Sequence, residues 1–120
     1  MKLLEGKAAI VTGSGRGVGR GHCLHLAKNG AKVVVNDILL EEAQKVADEI
    51  KAAGGEAIAS NADIGSRAGC ELLVQQCVDA FGGIDIAINN AGIVRDKTLL
   101  KLEDADFDIV WRIHVMGTFW

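Results

Sequence analysis

The sequence contains neither tyrosine nor proline, and aromatic residues make up only 4% of its 120 positions. Without tyrosine, none of these residues can offer a phenol as a general acid or base. Without proline, no predicted helix or strand has to be interrupted. Cysteine is scarce as well, since Cys23, Cys70 and Cys77 are odd in number and show no CxxC spacing. This cysteine pattern argues against a disulfide framework and against a zinc site, and we predict no metal site.

An excess of positive charge and a long apolar run are also missing. The formal net charge is −3 and no basic stretch occurs, so we expect no nucleic acid and no anionic membrane surface as a partner. No apolar run approaches the roughly 20 residues of a membrane span. Because residues 1–7 lack the apolar core of a secretory signal, we expect a cytoplasmic location, with the peroxisome or the mitochondrion as alternatives.

What the sequence does contain is an alternation of short apolar runs and segments with helical periodicity. The runs predict strands at Lys7–Thr12, Lys32–Asn36, Ala57–Ser60 and Ile84–Asn89. The periodic segments predict helices at Val18–Asn29, from Leu40 to Ile50, from Cys70 to Phe81, and from Phe107 onward. Because no stop signal follows the last segment, we expect the chain to end within its fourth helix.

This alternation predicts an α/β protein with a parallel sheet covered on both faces. We expect one domain, residues 1–120, with an incomplete, Rossmann-like doubly wound fold of strand order 3-2-1-4. The apolar stripes of the last three helices should face the core. Their members are Leu40, Ala43, Val46, Ala47 and Ile50; Cys70, Leu73, Val74, Cys77, Val78 and Phe81; and Phe107, Val110, Trp111, His114, Val115 and Thr118.

A glycine-rich turn, Thr12-Gly-Ser-Gly-Arg-Gly-Val-Gly19, joins the first predicted strand to the first helix. The turn lacks the simple GxGxxG spacing but fits TGxxxGxG. Glycine permits positive φ and close approach to backbone N–H groups, and a helix N-terminus attracts phosphate. The turn therefore predicts a phosphate-binding site, and a purely structural glycine turn is the alternative.

Asp37 ends the second predicted strand, roughly 20 residues beyond this turn, where an acidic residue can bind ribose hydroxyls and repel a 2′-phosphate. Arg16 points the other way, because a guanidinium near the turn favours a 2′-phosphate. A carboxylate about 4 Å from a phosphate costs up to about 4 kcal/mol at an effective dielectric near 20. An exposed arginine contact contributes only about 1 kcal/mol, so we predict NAD rather than NADP.

These motifs resemble the short-chain dehydrogenases/reductases. Four features match in order: the glycine turn, Asp37, Asp63-Ile64 after the third strand, and Asn89-Asn-Ala-Gly92 after the fourth. The resemblance implies a dinucleotide site, with Asp37 at the ribose, Asp63 and Ile64 at the adenine, and Asn90 beside the cofactor while it steadies the sheet. The full set of implied cofactor-binding residues is Gly13, Ser14, Gly15, Arg16, Gly17, Val18, Gly19, Asp37, Asp63, Ile64, Asn90, Ala91 and Gly92.

The resemblance covers all 120 residues but only about the first half of a family member. The family's catalytic Ser and Tyr-x-x-x-Lys would lie beyond Trp120. We therefore predict no catalytic residue in this chain, which should bind a dinucleotide without turning over a substrate.

A finer resemblance lies in Asn36-Asp37, Gly92-Ile-Val-Arg-Asp96 and Trp111-Arg-Ile-His-Val-Met-Gly117. These segments are similar to the (3R)-hydroxyacyl-CoA dehydrogenase part of peroxisomal-type multifunctional β-oxidation enzymes. The resemblance implies a small-molecule substrate, an acyl thioester whose secondary alcohol is oxidised to a ketone. Two alternatives stay open: a 3-oxoacyl-[acyl-carrier-protein] reductase, whose pattern Gly92–Asp96 also matches, and a non-catalytic dinucleotide-binding module.

Three further expectations concern single features. His114 takes the place of the active-site Asn of most family members, and its position on an apolar stripe predicts a core histidine, with a part in a proton relay as the alternative. Arg95-Asp96-Lys97 should form a solvated turn. The fourth strand would leave an unpaired edge, which predicts a homo-oligomer.

Overall fold

The computed structural model describes residues 2–93 and 98–120. Strands and helices alternate as predicted. The elements are β1 (Ala8–Val11), α1 (Gly17–Lys28), β2 (Lys32–Asn36), α2 (Leu40–Ala52), β3 (Ala57–Ser60), α3 (Arg67–Phe81) and β4 (Ile86–Ile88). A 3₁₀ turn (Leu99–Lys101), α4 (Asp104–Trp111), a π-helical segment (Arg112–Met116) and α5 (Gly117–Phe119) follow. The predicted first and fourth strands, at 7–12 and 84–89, are each shorter in the structure.

The four strands form one parallel sheet in the order β3-β2-β1-β4. In the register, Ala9 of β1 lies between Val33 of β2 and Ile86 of β4. The chain crosses from β3 on one side of the sheet to β4 on the other, so the strand order changes direction between β1 and β4. The predicted α/β class, Rossmann-like architecture and strand order are confirmed.

The core lies on both faces of the sheet because neighbouring residues of a strand point to opposite sides. One face packs Val11 and the side chains of Val33 and Val35 against α1 and α2, with Val46 and Ile50 of α2 fully buried. The opposite face packs Ile10 and Val34 against α3 through Leu73 and Cys77. Such two-sided burial explains why the strands read as continuous apolar runs.

The predicted stripes of α2 and α3 are only partly buried. Ala43, Val46, Ala47 and Ile50 of α2 are buried, as are Cys70, Leu73 and Cys77 of α3. Leu40 is 46% exposed because it starts the helix, a turn before the segment that packs on the sheet. Val74 and Val78 are exposed as well, because only one narrow side of α3 meets the sheet.

In the structure, α4, the π-helical segment and α5 together form the last helix. The prediction that its apolar stripe faces the core is wrong. Phe107, Trp111 and Val115 are exposed, and so is His114. Only Val110 of the predicted stripe is half-buried, together with Ile109 and Ile113, which lie outside that stripe. Ile109 and Ile113 are also four residues apart, as on one side of a helix, so helical spacing alone does not show which side of this helix is covered.

The predicted turn Arg95-Asp96-Lys97 lies outside the described residues. Across residues 2–93 and 98–120, no helix has both the length and the apolarity of a membrane span.

Candidate functional site

A cavity of about 630 Å³ opens at the carboxyl ends of the strands. This is where open α/β sheets bind ligands, in the crevice at which the strand order reverses. Its walls come from the turn after β1, the end of β2, the segment after β3, the segment after β4 and the last helix. The lining residues are Gly13, Arg16, Asn36, Asp37, Ile38, Ala62, Asp63, Ile64, Asn90, Ala91, Gly92, Ile93, Ile109 and Ile113.

The turn after β1 depends on glycine at three positions. Gly13 and Gly17 have φ of 60° and 62°, which other residues rarely adopt. A Cβ on Gly13 would also lie 2.8 Å from the Cα of Ala91. A Cβ on Gly19 would lie 2.6 Å from the Gly13 carbonyl oxygen and 2.6 Å from the Asn90 amide nitrogen. The turn is therefore packed directly against the segment that follows β4.

Ser14 lies behind the turn and does not line the cavity. Its side chain is fully buried, and its hydroxyl donates to the carbonyl oxygen of Val11 at 2.7 Å. The Ser14 hydroxyl oxygen in turn accepts the N–H of Asn36 at 3.1 Å, and the Ser14 N–H donates to the Asn36 carbonyl at 2.7 Å. The polar groups of Ser14 thus tie β1 to β2, which fixes the base of the turn.

Asp37 is held in place by two backbone N–H groups. Gly15 donates to Oδ2 and Leu39 donates to Oδ1, each at 3.0 Å. A Cβ on Gly15 would lie 2.8 Å from the same Oδ2, so glycine is needed for this approach. The carboxylate is therefore fixed at the cavity wall, with lone pairs left for hydroxyl donors because a carboxylate can accept about four hydrogen bonds.

Asp63 and Ile64 form the wall that follows β3. The Gly65 N–H donates to Asp63 Oδ1 at 2.8 Å, and the side chain of Ile64 packs toward Gly117 of the last helix. One polar and one apolar side chain thus stand next to each other at the cavity. Such a pair suits a flat heterocycle that carries hydrogen-bond donors on its rim.

Asn90 joins the turn after β1 to the segment after β4. Its Nδ2 donates to the carbonyl oxygens of Thr12 at 3.2 Å and of Gly13 at 3.1 Å. The hydroxyl oxygen of Thr12 in turn accepts the N–H of Ala91 at 3.0 Å. The two strand ends on either side of the crevice are therefore locked together, which keeps the cavity floor rigid.

His114 reaches the same region from the last helix. Its Nε2 lies 3.0 Å from the backbone nitrogen of Ile93 and 2.9 Å from the Ile93 carbonyl oxygen. A Cβ on Gly92 would lie 2.8 Å from the ring. The expectation of a core histidine is thus wrong, because the helix turns His114 away from the core and onto the backbone of the loop after β4.

The structure brings eight of the thirteen predicted site residues to the cavity wall. They are Gly13, Arg16, Asp37, Asp63, Ile64, Asn90, Ala91 and Gly92. Ser14, Gly15, Gly17, Val18 and Gly19 belong to the turn and the start of α1 behind it, and Val18 is largely exposed. The predicted set did not include the other six lining residues, which are Asn36, Ile38, Ala62, Ile93, Ile109 and Ile113. Ile38 could have been found because it directly follows Asp37 at the end of a strand.

The cysteines do not add a nucleophile to this site. Burial raises the pKa of the Cys23 thiol to about 11, and a hydrogen bond to Ser14 offsets this in part. Burial is also the main cause that raises the pKa of Cys70 and of Cys77. All three thiols are therefore protonated near neutral pH. Within the described part of the chain, no three His, Cys, Asp or Glu side chains cluster as a metal site would require.

We expect Asn90→Ala to lower the free energy of unfolding by about 1–3 kcal/mol, because it leaves the Thr12 and Gly13 carbonyls without their donor. Asn89→Ala is the matched control, since Asn89 is exposed and a surface substitution changes stability by about 0.5 kcal/mol or less. Urea unfolding of both variants checks this. Equal midpoints would show that the Asn90 bridge contributes nothing to the fold.

Comparisons with known proteins agree with this geometry. The family model described as short chain dehydrogenase matches residues 7–120. Among solved structures, a 7α-hydroxysteroid dehydrogenase complexed with NADH and 7-oxoglycochenodeoxycholic acid superposes with a TM-score of 0.92 at 38% identity, covering 97% of this chain and 45% of that one.

Two curated relatives extend the comparison. Peroxisomal multifunctional enzyme A of Dictyostelium discoideum is 46% identical, covering 94% of this chain and 27% of the relative. Hydroxyacyl-CoA dehydrogenase ChsB1 of Mycobacterium tuberculosis is 45% identical, covering 97% of this chain and 38% of the relative. The chain thus spans less than half the length of each of these relatives.

Proposed function

The chain belongs to the short-chain dehydrogenase family, and we propose that residues 1–120 form the NAD-binding part of an oxidoreductase that interconverts a secondary alcohol and a ketone. The family's Rossmann-type fold binds a nicotinamide dinucleotide. The observation that carries the proposal for this chain is the Asp37 carboxylate, fixed by Gly15 and Leu39 at the wall of the cavity.

The residues present fit a dinucleotide. Side chains are excluded at Gly13 and Gly19 by the backbone and the Asn90 amide, so a phosphate can approach the turn closely. The N-terminus of α1 begins at Gly17, and the positive end of a helix attracts phosphate. The shape and charge of this turn therefore match a pyrophosphate.

In this proposal the two halves of the dinucleotide lie at different walls of the cavity. The adenosine half belongs beside β2 and β3, where Asp37 would bind the ribose and Asp63 with Ile64 the adenine. The nicotinamide half belongs beside β4, next to Asn90, Ala91 and Gly92. When bound, the nicotinamide ring accepts or returns the hydride that converts alcohol to ketone.

NAD is proposed over NADP because of the charges at the adenosine end. Asp37 is fixed in position, and a 2′-phosphate on the neighbouring ribose would meet its charge. Arg16 also lines the cavity. The attraction of a 2′-phosphate to this solvent-exposed guanidinium is weaker than its repulsion by the Asp37 carboxylate.

For the substrate we propose an acyl thioester, specifically a (3R)-hydroxyacyl thioester. A relative that is 45% identical carries the name hydroxyacyl-CoA dehydrogenase. His114 and the residues around it also match the pattern of the multifunctional-enzyme branch.

A homo-oligomer and a cytoplasmic location stay predictions. The names of the relatives favour the peroxisome as the alternative location.

Calorimetric titration with NAD, NADP and AMP tests the proposal, together with a turnover assay on a 3-hydroxyacyl thioester. We expect NAD to bind, AMP to compete with it, and NADP to bind at least tenfold more weakly. The 120-residue polypeptide should bind without turnover because it contains no tyrosine. No binding of NAD would contradict the proposed site, and turnover by the 120-residue polypeptide would contradict the role assigned to an absent tyrosine.

A further inference from the structure

Gly69 lies in the first turn of α3, beneath the wall formed by Asp63 and Ile64. A Cβ on Gly69 would overlap the carbonyl oxygen of Asp63 and lie 2.6 Å from its carbonyl carbon. No other glycine of the described chain has a backbone neighbour so near. The neighbouring atoms are main chain, which cannot rotate away as a side chain can, so an added methyl group must displace Asp63.

The Asp63 carbonyl is held against Gly69 by the residue that caps α3. The N–H and the hydroxyl of Ser66 both donate to this oxygen, at 3.3 Å and 3.2 Å. The Ser66 hydroxyl oxygen also accepts the N–H of Gly69 at 3.0 Å. Helix start and cavity wall are thus one hydrogen-bonded unit, and its compactness depends on a missing side chain at position 69.

The last helix closes this unit from the other side. A Cβ on Gly117 would lie 3.0 Å from Cδ1 of Ile64 and 3.1 Å from its carbonyl oxygen. The thiol of Cys70, directly after Gly69, donates to that same Ile64 carbonyl at 3.4 Å. Ile64 is therefore held between α3 and the last helix, and the Asp63 carbonyl is held on α3 through Ser66. The Asp63 side chain stays exposed at the cavity wall.

We propose that Gly69 is a positioning residue for the adenine end of the dinucleotide. Because Gly69 has no side chain, the Asp63 backbone can pack directly against α3. This packing places the Asp63 carboxylate where it can accept a hydrogen bond from the 6-amino group of adenine. The inference rests on the proposed function. It adds that recognition of the adenine amino group depends on a glycine that does not touch the ligand and that no family motif named above includes.

The test compares NAD with nicotinamide hypoxanthine dinucleotide, which carries a carbonyl oxygen in place of the 6-amino group and a proton on the neighbouring ring nitrogen N1, and is the same molecule elsewhere. Loss of a hydrogen bond to a charged acceptor costs about tenfold or more in affinity. We expect the purified protein to prefer NAD by about tenfold and Gly69→Ala to reduce this preference to less than threefold. General destabilisation would weaken both ligands alike and leave their ratio unchanged.

Gly21→Ala is the matched control, because Gly21 is a helical glycine with nothing within 4 Å of its Cβ position. It should keep the tenfold preference. In an Asp63→Ala background, where the acceptor is gone, adding Gly69→Ala should not change the ratio further. If Gly69→Ala does not fold, Ser66→Ala replaces it, since it removes the hydroxyl that holds the Asp63 carbonyl, and it should also lower the preference.

The outcomes separate the two proposals. If the unmodified protein binds neither dinucleotide, the proposed function fails, and the role of Gly69 fails with it. If it binds NAD but does not distinguish the two dinucleotides, or if Gly69→Ala (or Ser66→Ala in its place) keeps the preference, the role of Gly69 is overturned while the proposed function stands.

Discussion

Replacing Asp37 with asparagine (Asp37→Asn) is expected to shift the ratio of the NADP and NAD dissociation constants by about a hundredfold toward NADP. Asp37 borders the cavity and is fixed by hydrogen bonds from Gly15 and Leu39. Two charges 4 Å apart repel by about 4 kcal/mol at an effective dielectric of 20. Solvent and salt screen part of this repulsion because the side chain is only half-buried.

The asparagine variant also loses something in the protein itself. Both carboxylate oxygens of Asp37 accept a backbone N–H, and an amide side chain has only one acceptor oxygen. Either the Gly15 or the Leu39 N–H therefore loses its partner, which costs about 1 kcal/mol of stability. We accordingly expect NAD itself to bind several-fold more weakly. This lower affinity for NAD contributes to the change in the ratio of the two dissociation constants.

Asp48→Asn is the matched control, because it removes the same charge from an exposed position of α2. Both dissociation constants should stay within twofold of the unmodified protein. In the Asp37→Asn background, Arg16→Ala should weaken NADP about fivefold, as expected for a contact of about 1 kcal/mol. Calorimetric titration measures all of these values. A ratio that changes by less than threefold in Asp37→Asn would remove the basis for the NAD assignment.

The sheet was predictable from sequence because its central strands are buried on both faces. A run such as Val33-Val-Val35 has β-branched side chains at every position, which only a covered strand tolerates. The glycines after the first strand predicted the turn for a different reason, which is the positive φ that the backbone requires at Gly13 and Gly17. Local chemistry thus determined the strands and the turn between them.

The last helix was not predictable in the same way, because it carries two apolar rows. Phe107 and Trp111 have helical spacing and stack with ring centroids 6.2 Å apart, yet Ile109 and Ile113 line the cavity. The helical repeat also changes at Arg112–Met116, where it becomes a π-helix. His114 lies in this segment and is exposed, as are Phe107 and Trp111 before it. Periodicity placed these residues on one side of the helix but contained no information on whether that side is covered.

Several site contacts join residues that are far apart in sequence. The Gly15 N–H reaches Asp37, and the Asn90 amide reaches Gly13. The resemblance predicted that these residues share a site. Their spacing in the sequence alone does not show which group donates each hydrogen bond and which group accepts it. Such pairings follow from the strand register and from the direction of each side chain, and the structure supplies both.

Replacing Gly19 with alanine (Gly19→Ala) is expected to lower the free energy of unfolding by about 2–3 kcal/mol and to weaken NAD at least tenfold. The added Cβ would lie 2.6 Å from both the Gly13 carbonyl oxygen and the Asn90 amide nitrogen, and 2.8 Å from the Cα of Ser14. Overpacking of this kind costs about 1–3 kcal/mol. Relief requires the turn to move, and the turn is the proposed pyrophosphate site.

Gly21→Ala separates this effect from a change in helix propensity. Gly21 lies two residues further along α1, with nothing within 4 Å of its Cβ position, so alanine there should stabilise the helix by about 0.5–1 kcal/mol. The two variants have the same chemistry and opposite expected signs. Thermal unfolding with and without NAD measures both. If Gly19→Ala unfolds at or above the temperature of Gly21→Ala, the close packing between the turn and Asn90 does not limit what position 19 can hold. If Gly19→Ala is destabilised but still gains as much thermal stability from NAD as the unmodified protein, the turn does not hold the pyrophosphate.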